Sequence, residues 1–315
     1  MERDYKFIYN KSEIGAGTRG SSMGIDALTM AAISKGSSFF QNTPSVTVND
    51  QNHILAQPNT FKWAKYIDAL VRIYEEVCTN VSEVIKERKF PIIISGDHAS
   101  AGGSVAGIKA AFPGKRLGIV WIDAHADLHS PYTSPSGNVH GMPLAAILNE
   151  DNKKFDPGDV EEQTAKQWEK LKKVGGIVPK AKPDDLVFIG VRDTEKEEDH
   201  LIEKFNIVNY TPQVLRQKGI AKVMAEIKSE KLKNCDMVYV SFDVDCLDCR
   251  EISYGTGTPV ENGLSENEAK VILKALMDWE KVMALEITEI NPLLDNKQNK
   301  MAETTLKILE FALGR

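Results

Sequence analysis

The chain has 315 residues, 42% hydrophobic and 27% charged, with a formal net charge of −6 at pH 7. This is the composition of a globular chain with enough apolar residues for a large core, and its acidic balance argues against a general nucleic-acid or anionic-membrane binder. No apolar run approaches the ~18 residues of a membrane span and residues 1–6 lack a signal-peptide core, so a cytoplasmic protein is expected.

Residues 6–14 read as a first strand, followed by the flexible turn Gly15-Ala16-Gly17-Thr18-Arg19-Gly20. That turn lacks the G-x-x-x-x-G-K-[ST] pattern of a phosphate loop and is read as a plain strand-to-helix connection. Ser21 or Ser22 is expected to cap a helix over 24–34, with a short strand at 46–48 after it. Trp63, Ile67, Leu70, Tyr74, Val77, Val81 and Val84 recur at three- to four-residue spacing, which predicts a covering helix over 59–89. A buried strand over 91–96 ends in Asp97-His98, and a small-residue helix over 99–111 follows, with Gly102-Gly103 permitting close packing. Leu117-Gly118-Ile119-Val120 is the next buried strand and leads into Trp121-Ile122-Asp123-Ala124-His125-Ala126-Asp127-Leu128-His129.

Residues 129–135 form a Ser-, Thr- and Pro-rich loop before Ser136-Gly137-Asn138-Val139-His140, and a helix covers 142–148. Residues 151–182 are highly charged and read as a solvated excursion, with a helix over 160–174 stopped by Gly175-Gly176. A strand over 186–191 ends in Arg192-Asp193-Thr194-Glu195, and the acids from Glu195 to Asp199 suit a helix N-terminus. A short strand over 207–210 precedes helices from Thr211 to near Gly219 and over 221–232. A strand over 237–242 ends in Asp243-Val244-Asp245, and the glycine-rich loop Tyr254-Gly255-Thr256-Gly257-Thr258-Pro259 follows. Ser265-x-x-Glu268 is a capping box for a helix to Trp279, a strand over 282–287 leads to Thr288-Glu289-Ile290-Asn291-Pro292, and a last helix covers 300–312. Cys246 and Cys249 form a C-x-x-C without a thioredoxin-like setting, so they are read, with Cys78 and Cys235, as incidental reduced thiols. Strands alternate with helices throughout. The expected fold is α/β, a single domain over 1–315 in three layers, its central parallel sheet covered by helices on both faces.

Three of these strands finish in acidic or histidine residues at their carboxyl ends, the edge where open α/β sheets bind ligands. In extended backbone the i, i+2, i+4 spacing of Asp123, His125 and Asp127 puts them on one side. Together with His98, Asp243 and Asp245 they make a set of candidate metal ligands rich in carboxylate. So much negative charge in one cleft repels itself without cations. The set exceeds what one four-coordinate zinc takes and suits two bridged divalent ions.

The motifs Gly96-Asp97-His98, Asp123-Ala124-His125-Ala126-Asp127, Ser136-Gly137-Asn138-Val139-His140-Gly141, Ser241-Phe242-Asp243-Val244-Asp245 and Glu289-Ile290-Asn291-Pro292 occur in that order. Together they resemble the ureohydrolase family: arginases, agmatinases and relatives that hydrolyse guanidino or formimino groups on a dimanganese centre. The resemblance runs from about Gly15 to the C-terminus and is nearest to the arginases. It implies an arginase-like fold, two Mn²⁺ per subunit, and cleavage of the L-arginine guanidinium to L-ornithine and urea by a metal-bridging hydroxide. It also implies a trimer or hexamer acting on a small molecule, with no nucleic-acid or membrane partner.

By the same resemblance Asp127 both binds metal and orients the hydroxide, and Glu289 holds the guanidinium by paired charge-assisted hydrogen bonds. Glu286 supports them, and His140 passes a proton to the leaving amine. Ser136 and Asn138 grip the α-carboxylate, Asp193 and Glu195 face the amino group, and His129 and Thr258 are further substrate-facing candidates. Glu195 stands where a shorter Asp is usual, and His129 where arginases usually place an Asn. These departures leave open agmatine, another guanidino acid or a formimino compound as substrate. A non-catalytic metal-binding assembly module on the same fold is the remaining alternative.

Overall fold

Eight parallel strands form one sheet in the computed structural model, which describes residues 3–315. They are β1 (Tyr5–Asn10), β2 (Ser45–Thr47), β3 (Phe90–Ser95), β4 (Leu117–Ile122), β5 (Leu186–Ile189), β6 (Val208–Tyr210), β7 (Met237–Asp243) and β8 (Val282–Thr288). Across the sheet they lie in the order β2-β1-β3-β8-β7-β4-β5-β6, every pairing parallel. Every residue of β3, β4 and β7 is buried, as a sheet covered on both faces requires. The edge strands β2 and β6 are only three residues long, which limits the unpaired backbone offered to another chain.

Side-chain alternation divides the core into two layers. Ile8, Ile93, Ile119, Trp121, Phe188 and Tyr239 pack with the helices Ile67–Lys86, Ala101–Ala111, Pro143–Leu148 and Glu162–Lys173. Phe7, Ile92, Ile94, Val120, Ile122, Val187, Val238, Val240 and Leu285 pack with the helices Gly24–Ser34, Glu266–Met277 and Lys300–Leu313. The expected three-layer α/β architecture is what the chain adopts. The Ser265–Glu268 capping box forms in both directions, and Gly175 and Gly176 take left-handed φ of 78° and 75° just past their helix.

Several local expectations fail for identifiable reasons. The first strand ends at Asn10, whose Oδ1 accepts the Ser12 amide at 3.2 Å and turns the chain out of the sheet. The long helix begins at Ile67 rather than 59. Tyr66 is left-handed (φ 56°), and Asn59 Oδ1 accepts the amides of both Phe61 and Tyr66, which holds 59–66 as a loop. Neither Ser21 nor Ser22 caps the helix Gly24–Ser34 by its side chain; the buried Glu13 carboxylate instead accepts the amides of Gly20 and Ser22 at 2.8 and 2.9 Å. The charged segment 151–182 is not wholly a solvated face. Lys172 is buried, its ammonium 2.8 Å from Asp151 and 2.6 Å from Glu169, and the Trp168 indole also donates to Asp151. All four cysteines are free and buried.

The helix Ala101–Ala111 lies against Ile67–Lys86 through its glycines. A Cβ added at Gly107 would stand 2.6 Å from the Cys78 carbonyl oxygen and 2.7 Å from Val81 Cβ. Gly→Ala in an open helix stabilises by roughly 0.5–1 kcal/mol. Here the sign reverses: Gly107→Ala should cost about 2 kcal/mol through overpacking. The check is a lower urea midpoint at unchanged denaturant slope.

Candidate metal centre and substrate cleft

Three loops at the carboxyl ends of the central strands β3, β4 and β7 are turned by one device. Asp97 Oδ1 accepts the Ala99 amide at 3.0 Å after β3, Asp123 Oδ1 accepts His125 at 2.7 Å after β4, and Asp243 Oδ1 accepts Asp245 at 2.9 Å at the end of β7. In each, an aspartate binds the backbone two residues on, the Asx turn that lets a chain leave a strand sharply. The i, i+2 spacing therefore arises from turns. Asp123, His125 and Asp127 do not alternate along extended backbone as expected: β4 ends at Ile122, and Asp127 itself is left-handed with φ 51°. Each turn uses one carboxylate oxygen. For Asp123 and Asp243 it leaves the other facing the cleft.

Those free atoms converge. His98 Nδ1 lies 3.0 Å from Asp123 Oδ2, 3.1 Å from Asp127 Oδ2 and 3.2 Å from Asp243 Oδ2. His125 Nδ1 lies 2.9 Å from Asp245 Oδ2 and 3.6 Å from Asp123 Oδ1. Two clusters result, His98–Asp123–Asp243 and Asp123–His125–Asp245, with ligand atoms within 4.8 Å of one another and Asp123 common to both. His98 Nδ1 and Asp123 Oδ2 are buried and neither has a partner in hydrogen-bonding geometry, although they sit 3.0 Å apart. Lone pairs that close, not aligned for a shared proton, fit a cation between them. In the metal-free protein, burial and then the charge of Asp245 raise the Asp243 carboxyl well above the usual range. Burial and then Asp123 push Asp127 up to about 7. Both shifts report charge that lacks a counter-ion.

Behind the ligands lies a buried polar layer. The His98 ring stacks on Trp121 at 4.0 Å, and its Nε2 is 2.7 Å from Ser241 Oγ, which suits a tautomer with the Nδ1 lone pair facing the cleft. Fully buried Glu286 accepts from Ser95 Oγ and from the Tyr239 hydroxyl, each at 2.6 Å. Glu289, after β8, is left-handed (φ 66°), and its Oε1 accepts the His98 amide at 3.1 Å and faces His140 Nδ1 at 3.0 Å. Its Oε2 is buried without a partner. Burial lowers the His140 imidazole, but the Glu289 hydrogen bond and charge outweigh it and raise it to about 9. A backbone bond from the His140 amide to Gly15 O (3.1 Å) and a bond from the Gly15 amide to the Asp97 carboxylate Oδ2 (2.7 Å) close a ring around this pair.

A cleft of about 240 Å³ opens over the two clusters. Its wall contains every candidate named from the sequence except Glu289, which faces His140, and Glu286, which is fully buried in the polar layer behind the ligands. Ser134, Ser136 and Asn138 form one side, and Asp193, Glu195 and Glu198 lie along another. The Thr258 hydroxyl donates to Asp245 Oδ2 at 3.0 Å, so it orients a carboxylate as well as facing the cleft. His129 Nε2 faces Glu195 at 3.5 Å and Glu198 at 3.7 Å, away from both candidate metal clusters. Glu198 was not singled out in the sequence because it reads as one more acid in a helix N-terminus. It does cap that helix, accepting the Glu195 amide, yet it also accepts the Leu128 amide beside Asp127, and burial raises its carboxyl to about 7. No helix among the described residues is long and apolar enough to cross a membrane.

The model of the Arginase family matches residues 10–314. An arginase of Brevibacillus brevis is 32% identical over 318 aligned positions, covering 100% of this chain and 99% of that protein. The crystal structure of arginase from Bacillus subtilis superposes with a TM-score of 0.79 at 31% identity, and Bacillus caldovelox arginase with 0.83 at 29%. Each of these structures covers 99% of both chains. With the binuclear cluster geometry at the sheet edge and a family match along nearly its whole length, the chain belongs to the arginase family.

Proposed function

We infer that this protein hydrolyses L-arginine to L-ornithine and urea at two divalent metal ions. The observation that carries this reading is the pair of His/carboxylate clusters sharing Asp123 beneath a cleft for one small molecule. His98, Asp123 and Asp243 would hold one ion and Asp123, His125 and Asp245 the other, with Asp127 against the first. When bound, such ions would lower the pKa of a water molecule at the site and so supply hydroxide near neutral pH. The oxygen-rich donor set supports a hard ion, and manganese is the proposed one. Membership of the family supports the rest of the reading: a single cytoplasmic domain over 1–315 that assembles as a trimer or hexamer.

The chain's own groups then do the positioning and the proton work. Glu289 is the proposed guanidinium holder, its unpartnered Oε2 being the atom left free for a charge-assisted hydrogen bond. Asp127 is suited to orienting the attacking oxygen. His140 is the proposed proton donor to the leaving amine, because Glu289 keeps its imidazole charged at neutral pH. Hydroxyl and amide groups of Ser136 and Asn138 suit the α-carboxylate, and Asp193, Glu195 and Glu198 suit the α-ammonium. His129 also lines the cleft, its Nε2 3.5 Å from Glu195 and 3.7 Å from Glu198.

Metal-stripped protein should release no urea from L-arginine, and Mn²⁺ should restore it. Agmatine preferred over arginine would instead favour a substrate without a carboxylate. Because Asp123 serves both clusters, Asp123→Ala should lower bound metal from two ions per chain to below one, measured by elemental analysis. A retained full complement would refute the shared-ligand assignment.

His140→Asn should lower kcat by at least about 100-fold while metal content holds, the scale of a lost acid–base group. In the metal-free protein the His140 imidazole should titrate near pH 9 by NMR, and Glu289→Gln should bring it down toward 6.5 or below. Since the folded pKa is the raised one, the pair's contribution to stability is complete below about pH 6.5 and is lost as pH rises through about 9.

A further inference from the structure

Residues 62–65, in the loop before the helix Ile67–Lys86, pack against the loop that carries Ser136 and Asn138. The Lys65 amide donates to Gly137 O at 2.8 Å. Gly137 is left-handed (φ 70°), and a Cβ there would collide with the Lys62 carbonyl. The Lys65 ammonium donates to Asn138 Oδ1 at 3.0 Å. Lys65, Pro135 and Ser136 line a shallow pocket on one side of this loop, while Pro135, Ser136 and Asn138 line the catalytic cleft on the other. Lys65 therefore reaches Asn138 from behind the cleft wall.

An ammonium has three donors and no acceptor, so only the oxygen of the Asn138 amide can face it. That settles which way the amide points. Nδ2 is turned away from Lys65 toward Gly17, where an added Cβ would stand 2.6 Å from it. No protein group among the described residues accepts from Nδ2. With its oxygen engaged by Lys65, the side-chain group that Asn138 has left for a ligand in the cleft it lines is the Nδ2 donor.

We propose that Lys65 is a positioning residue that sets the substrate class: it fixes Asn138 as a hydrogen-bond donor and adds positive charge behind that wall, so the cleft selects guanidino compounds bearing a carboxylate. The inference rests on the hydrolytic function proposed above. A neutral residue at 65 frees the amide to flip and turn its oxygen lone pairs toward the incoming carboxylate. The loss then falls on holding the carboxylate end, while Glu289, His140 and the metal ligands are untouched.

The test is steady-state kinetics of the Mn²⁺-loaded Lys65→Met and Lys65→Arg variants, with L-arginine as substrate and agmatine, which is arginine without its carboxylate, as competing ligand. Lys65→Met should raise KM for arginine about tenfold with kcat within about twofold, the pattern of a lost binding contact. The inhibition constant of agmatine should move by less than about twofold, and Lys65→Arg, which keeps a cationic donor, should recover most of the arginine KM. Equal weakening of arginine and agmatine, or an unchanged arginine KM in a variant of normal thermal stability, would overturn the role of Lys65 alone. Wild-type protein that releases no urea from arginine would overturn the hydrolytic function, and this role with it.

Discussion

Repulsion among buried carboxylates at the carboxyl edge of the sheet is the constraint on which this structure depends. Asp123, Asp127, Asp243 and Asp245 are all buried within one small region. Unit charges about 4 Å apart repel by roughly 4 kcal/mol even at an effective dielectric of 20. Such a cluster persists only if the backbone that carries it cannot relax away. The central strands β3, β8, β7 and β4 are pinned side by side and covered on both faces, and each Asx turn is anchored to a strand end inside that core. The left-handed backbone at Asp127 and Glu289, costly for residues other than glycine, lies at the same place. Cations that bind only the folded clusters convert this repulsion into stabilisation, so metal binding and folding are linked.

The same edge joins the two ends of the chain. Asp97 holds Gly15 from the first loop, Gly15 accepts the His140 amide, His140 faces Glu289 after the last strand, and Glu289 returns to the His98 amide next to Asp97. Every link is a hydrogen bond between segments distant in sequence. The His140–Glu289 pair is therefore a product of the complete sheet order: β1 and β8 must both flank β3 for this ring to close.

The layout of the fold was legible in the sequence because strands covered on both faces must be continuous apolar runs, and those runs stand out between amphipathic helices. The candidate ligands were legible because each follows such a run. The cause of their spacing was not. An Asx turn and an alternating strand share the same i, i+2 signature, and only the backbone after Ile122 separates them. Trp63 matched the helical stripe by position alone, since the Asn59 amide caps and left-handed Tyr66 act locally to delay the helix. Glu198 and Lys65 were hidden for a related reason. Acids in a first helical turn and lysines near a helix start are ordinary surface choices, and what distinguishes these two is a partner from a remote loop, Leu128 in one case and Asn138 in the other.

Those two residues serve different segments of one cleft, Glu198 lining it directly and Lys65 through Asn138. Asp193, Glu195 and Glu198 concentrate negative charge along one wall, while Ser134, Ser136 and Asn138 supply hydroxyl and amide groups along the other, with the Lys65 ammonium behind them. A ligand with a single charge at its far end can satisfy only one of these walls. Agmatine ends in an ammonium alone and would leave the hydroxyl and amide wall without an anion, and a simple guanidino acid would leave the acidic wall without a cation. An α-amino acid carries an ammonium and a carboxylate on one carbon and can satisfy both at once. Charge complementarity of this kind contributes to selectivity more than to raw affinity. The polarity of the cleft therefore supports arginine over its analogues independently of the metal centre, which all guanidino substrates would use alike.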